Sequence, residues 1–132
     1  MTTHARGTFE IKMTPQATDA TTTGLARYLL EKQFHGDLEA SSQGEMLAVG
    51  TAVPGSAGYV AMEHVTGTLN DRRGMFALQH SGTMDRGTAQ LSVTVVPDSG
   101  TDQLAGLTGT MEIKIADGEH SYEFQYTLAE PS

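Results

Sequence analysis

Two side chains near the middle of the chain, Glu63 and His80, have the types and placement that proton transfer needs. In Tyr59-Val60-Ala61-Met62-Glu63-His64-Val65 the apolar positions alternate, so Tyr59, Ala61 and Val65 share one face, and Glu63 falls on that face. In Phe76-Ala77-Leu78-Gln79-His80 the face that holds Phe76 and Leu78 also holds His80. A polar side chain on an apolar face is costly to desolvate, so it must be paired there or put to use. A turn at Asn70 to Gly74 joins the two segments and lies roughly midway between Glu63 and His80. A symmetric hairpin therefore brings both to one level, within cross-strand reach. A carboxylate beside an imidazole, away from water, is a general acid/base unit. Desolvation is expected to lift Glu63 above the ~4.3 of a free Glu and make it the base or acid, with His80 orienting it. The same two groups, bonded to each other, also make a purely structural pair.

Lys32 has the parity of Tyr28, Leu30 and Phe34, and either reaches the same interior or snorkels at its rim. Phe34, Tyr59, Phe76, Leu78, Tyr122, Phe124 and Tyr126 are the inward-facing residues expected to touch a bound molecule, and each is equally a core residue. Of the five His, His64 lies opposite Glu63, while His4, His35 and His120 fall at strand ends or on outward positions. That leaves two ligands where zinc or iron needs three, so neither metal nor cofactor is expected. There is no Gly-x-Ser-x-Gly elbow, phosphate loop or dinucleotide fingerprint, and zero Cys excludes thiolate chemistry and disulfides.

The elements that must hold these groups read as strands. Phe9, Ile11 and Met13 alternate with polar neighbours, as do Leu91, Val93 and Val95, then Met111, Ile113 and Ile115, then Tyr122, Phe124, Tyr126 and Leu128. Further strands are expected at 45–53, 59–69 and 75–83, and an eighth at 27–39. Strong helix formers at 25–33 leave a short helix as the alternative there. Asn70 to Gly74, Asp85-Arg86-Gly87, Pro97 to Gly100 and Asp117-Gly118 are turn signals. The Thr-rich stretch Thr14 to Gly24 reads as a loop. The expected architecture is one all-β domain over residues 1–132, an eight-stranded antiparallel up-and-down barrel, with a sandwich as competitor.

A formal charge of -8 makes nucleic acid and anionic membranes poor partners. No apolar leader follows Met1, and the expected location is the cytoplasm. Val60 and Met62 are apolar yet outward by parity, which points to a homo-oligomer, by base rate a dimer.

Phe34-His-Gly-Asp-Leu-Glu, Gly58-Tyr-Val-Ala-Met-Glu-His-Val-Thr-Gly-Thr-Leu, Phe76-Ala-Leu-Gln-His-Ser-Gly-Thr and Val95 to Gly109 together resemble the DUF3224 family, in the family's order and across nearly the whole chain. The resemblance implies a barrel similar to allene oxide cyclase, with the lumen as ligand site. It implies no known reaction. Gln79 faces outward by parity and is retained beside His80 on the resemblance alone.

Three functions fit. The first is cofactor-free proton abstraction of isomerase, cyclase or lyase type on a small apolar or aromatic molecule. The second is a lipocalin-like binder of a hydrophobic metabolite without turnover. The third is a barrel filled by the seven Met residues.

Overall fold

The computed structural model describes residues 2–16 and 25–128. Eight strands follow one another: β1 Thr3–Pro15, β2 Ala26–Gly36, β3 Leu38–Gly50, β4 Ala57–Leu69, β5 Arg72–Asp85, β6 Thr88–Val95, β7 Thr108–Ala116 and β8 Glu119–Thr127. Each pairs antiparallel with its sequence neighbour and β1 pairs with β8, closing the sheet into a barrel. Three of the hairpins turn on two residues with positive φ: Asn70 (45°) and Asp71 (69°), Arg86 (49°) and Gly87 (92°), and Asp117 (52°) and Gly118 (77°). This is the type I′ geometry, whose twist matches that of the strands it joins. Among the described residues no helix is long and apolar enough to cross a membrane.

The contested segment at 25–33 is strand rather than helix. Leu30, Lys32 and Phe34 are buried on one face while their neighbours are not, and β2 is laddered on both sides, which overrides the helix propensity of its residues. Its end at Gly36 moves the next strand forward: β3 begins at Leu38, not near residue 45. Leu38, Ala40 and Ser42 do alternate inward, but Ser41-Ser42-Gln43-Gly44 carries so little apolar contrast that the period is hidden. Of the expected loop Thr14 to Gly24, Thr14 and Pro15 belong to β1 and residues 17–24 lie outside the described ones.

One half of the barrel is solid. Phe34, Leu38, Leu69, Phe76, Leu78, Tyr122 and Phe124 are fully buried there, with Phe76 stacked on Phe124 at 5.8 Å. The Tyr122 hydroxyl accepts from the Leu38 amide at 2.9 Å and donates to the His35 carbonyl at 3.0 Å, while Asn70 Nδ2 donates to the Tyr126 hydroxyl at 2.7 Å. Both phenols are thus anchored at the closed end, as buried phenols require. The plug is aromatic and aliphatic rather than methionine-rich: Met111 is buried, but Met13, Met46 and Met84 line open space.

The segment from 96 to 107, with a 3-10 turn at Asp102–Leu104, completes the plug by driving in Leu104 and Leu107. It takes the place of β6 along the first half of β5: Val96 donates to the Ala77 carbonyl and Thr101 to the Met75 carbonyl, each at 2.9 Å. As a result, β6 and β7 share a register at a single pair, Thr94 with Thr110.

Candidate active site in the barrel lumen

Beyond the plug the lumen holds a cavity of about 440 Å³. Met13, Met84, Leu91 and Ile115 stand partly exposed at its mouth; Phe9, Leu30, Lys32, Ala61 and His80 form its buried floor and Tyr59 its wall. Nearly all of this surface is apolar, and the charged groups are gathered at the floor.

Glu63 lies at the centre of that polar group, and its side chain is sealed from solvent. Its Oε2 accepts from Lys32 Nζ at 2.8 Å and from His80 Nε2 at 2.6 Å. Register explains the meeting. Glu63 is paired with Leu78 and His80 with Ala61, so the two side chains are diagonal neighbours on the inner face of the β4–β5 hairpin. Lys32 arrives from β2 across β3, and between them Gly44, paired with both Leu30 and Glu63, supplies no side chain. A Cβ on Gly44 would overlap the Met62 carbonyl and the Glu63 Cβ, so glycine is what lets the carboxylate lie there. The Lys32 ammonium also rests over the rings of Phe9 (5.1 Å) and Phe34 (5.8 Å), which eases its burial. Among the described residues, Glu63 Oε1 and Ser42 Oγ are buried without a hydrogen-bond partner.

His80 and Lys32 together reverse the expected titration of Glu63. Burial alone pushes the carboxyl up. The hydrogen bond from His80, the charges of Lys32 and His80 and the hydrogen bond from Lys32 outweigh it, and the pKa falls from an ordinary 4.5 to about 2. The expectation of a raised value counts burial and leaves out the opposing pull of two donors, His80 and a Lys32 whose side chain is 4% exposed rather than snorkelling at the rim. Glu63 is therefore an ionised acceptor and a poor base. An ionised carboxylate only accepts, so His80 Nε2 carries the proton of their bond, and in the neutral ring Nδ1 holds a free lone pair. Among the described residues no protein group bonds to Nδ1, and His80 lines the cavity. The roles are exchanged relative to expectation: Glu63 orients and His80 faces the lumen. Tyr59, centred 6.5 Å from the His80 ring, has its pKa raised by burial and by the Glu63 charge, so its phenol keeps its proton.

A pH dependence of stability follows. With a folded pKa near 2 against an ordinary 4.5, Glu63 contributes about 3 kcal/mol above pH 4.5, and the contribution is lost as pH falls through 2. Urea midpoints measured across this window should drop with acid, and the part due to this site should be missing in Glu63→Gln.

Lys32, Tyr59 and His80 thus stand on the cavity and Glu63 directly beneath. Phe34, Phe76, Leu78, Tyr122, Phe124 and Tyr126 do not line it: they share the right face but belong to the plugged half. Parity reports which way a side chain points, not how far along the barrel axis it lies. Gln79 is exposed on the outer wall, paired with Met62 and Thr94. His120 is a further correction. It points inward, lines the cavity and packs on Phe9 at 5.2 Å, because β8 starts at Glu119 and gives it the parity of Tyr122. Extending the Tyr122-Phe124-Tyr126 alternation two residues upstream would have found it. Even so, among the described residues no three His, Cys, Asp or Glu side chains gather as metal ligands.

These features define a closed eight-stranded barrel, half plugged, with an apolar pocket set over a buried Lys–Glu–His cluster. The chain belongs to the DUF3224 family, described as a protein of unknown function, whose model matches residues 5–126. It is similar to a solved structure from Shewanella oneidensis MR-1, a DUF3224 protein with unknown function. The two share 49% identity over 98% of this chain and 100% of that one, with a TM-score of 0.92. No protein with a curated description matches the chain.

Proposed function

We propose that the barrel performs cofactor-free acid/base chemistry on a small, largely apolar molecule held in the lumen, with His80 as the proton-transfer group and Glu63 and Lys32 fixing it. The observation that carries this reading is the pairing at the floor: His80 Nε2 is held 2.6 Å from an ionised carboxylate, and among the described residues its other nitrogen has no protein partner. Carboxylate orienting imidazole is the arrangement that keeps one tautomer and stabilises the imidazolium once a proton is taken. The test is an activated aromatic carbon acid, a nitrobenzisoxazole, whose ring opens when its C–H is deprotonated. Saturable ring opening, with a rate that rises with pH and then levels, supports the reading. A rate no greater than that of free imidazole at equal concentration overturns it. The almost wholly apolar lining favours one second reading, a binder without turnover, and bound but unreacted carbon acid would be its signature.

A homodimer is proposed on the outer wall. Val60 and Met62 on β4 are 54% and 51% exposed, and Leu47, paired with Val60 on β3, adds to the same apolar face. Light scattering is expected to give twice the chain mass; a monomer overturns the assignment.

A further inference from the structure

We infer that the lumen is shaped for a neutral carbonyl compound with an acidic C–H beside the carbonyl, and that Lys32 is the group that receives its oxygen. The inference rests on the acid/base reading of His80 and adds the substrate class to it.

An ammonium carries three N–H donors, and Lys32 directs one to Glu63 Oε2 at 2.8 Å. Among the described residues no other acceptor takes the remaining two. The rings of Phe9 and Phe34 attract the charge through their faces and offer no lone pair. Lys32 nonetheless lines the cavity, so a molecule seated there meets donors that need an oxygen.

Charge selects which oxygen. Lys32 and Glu63 neutralise each other, and the form of His80 that can act as base, with its lone pair on Nδ1, adds no charge. A carboxylate would bring an unbalanced negative charge onto an apolar floor, whereas a ketone or aldehyde brings a strong acceptor and no charge. The reaction then supplies the charge itself. As His80 Nδ1 takes the proton, the C–H bond breaks and an N–H bond forms; its electron pair makes the C=C bond and the carbonyl becomes an enolate. Lys32 donates to the new oxyanion and Glu63 sits against the new imidazolium, so two ion pairs stand where there was one. Return of the proton to the same carbon gives exchange, and to a more distant carbon of an enone gives isomerisation. No oxidant, reductant or second substrate is required.

The probes are β-tetralone, a bicyclic ketone, and tetralin, its hydrocarbon counterpart. In the wild-type protein the ketone should bind about tenfold or more tightly than the hydrocarbon, as a charge-assisted hydrogen bond implies. Its C=O stretch should fall below the value in an apolar solvent, and its α-hydrogens should exchange in deuterium oxide. Lys32→Met should still bind tetralin, but lose the ketone preference and the stretch shift and slow exchange by about a hundredfold. The double variant Lys32→Met/Glu63→Gln, which leaves no lone buried charge, serves if the single one does not fold. Equal binding of the two probes with an unshifted C=O overturns the inference. Exchange that persists at the wild-type rate without Lys32 also overturns it while leaving His80 as base. A shifted C=O with no exchange upholds the carbonyl site and overturns the acid/base reading.

Discussion

Glu63→Gln is expected to lower the unfolding free energy by about 3–5 kcal/mol, the largest single-residue effect in the lumen. The cause is what the change leaves behind. The Lys32 side chain is 4% exposed and its counter-charge is this carboxylate, so the variant strands an ammonium among Phe9, Phe34 and Leu30. Removing Lys32 instead should cost less, because the carboxylate keeps the hydrogen bond from His80 Nε2. Lys32→Met/Glu63→Gln should regain most of the loss, since an ion pair replaced as a whole by uncharged groups is often close to neutral. Urea unfolding of the three variants closes a double-mutant cycle. A Glu63→Gln protein with the wild-type midpoint would mean that the three side chains are not coupled as described.

His80→Gln is expected to lower the rate of carbon-acid deprotonation by two or more powers of ten. The glutamine amide can still donate to Glu63, so stability should change by less than about 1 kcal/mol and tetralin should still bind. What disappears is the lone pair on Nδ1, and with it the pH-dependent rise of the rate. In the wild-type site Glu63 is no rival base, because a carboxylate held at about 2 by His80 and Lys32 has little affinity for a substrate proton. Retention of turnover in His80→Gln would return the cavity to the role of a binding site.

The barrel was legible because its strands alternate strongly and its hairpins turn on Asn-Asp, Arg-Gly and Asp-Gly, so β1, β6, β7 and β8 needed little beyond period 2. Glu63 and His80 were legible for the same reason, as polar residues on apolar faces joined by one turn. What the sequence could not convey was depth. Phe124 and Ile113 point into the same interior, yet one is buried in the plug and the other lines the cavity. The difference is set by the barrel's stagger and by Leu104 and Leu107, which enter from an irregular segment with no period to read. Lys32 could not be ranked either: its parity was evident, but whether a long side chain turns inward depends on a carboxylate contributed thirty-one residues later. The direction of the Glu63 shift depends on the hydrogen bond from His80 and on that same lysine together.

The single register pair between β6 and β7 makes the barrel a hoop with a clasp. A hoop laddered all round changes girth only by breaking several backbone hydrogen bonds together. Here the two strands part toward the mouth, and Ala89, Gln90 and Leu91 on one side and Ile113 and Ile115 on the other border the cavity. Girth at the mouth is therefore set by side chains rather than by the ladder, and a bulkier guest is expected to enter by spreading the clasp while the plugged half stays unchanged. Amide exchange should register this. The amides of Gln90 to Ser92 and Ile113 to Ile115 that face the gap should trade protons faster than those of β4, and slow once a guest bridges the two strands.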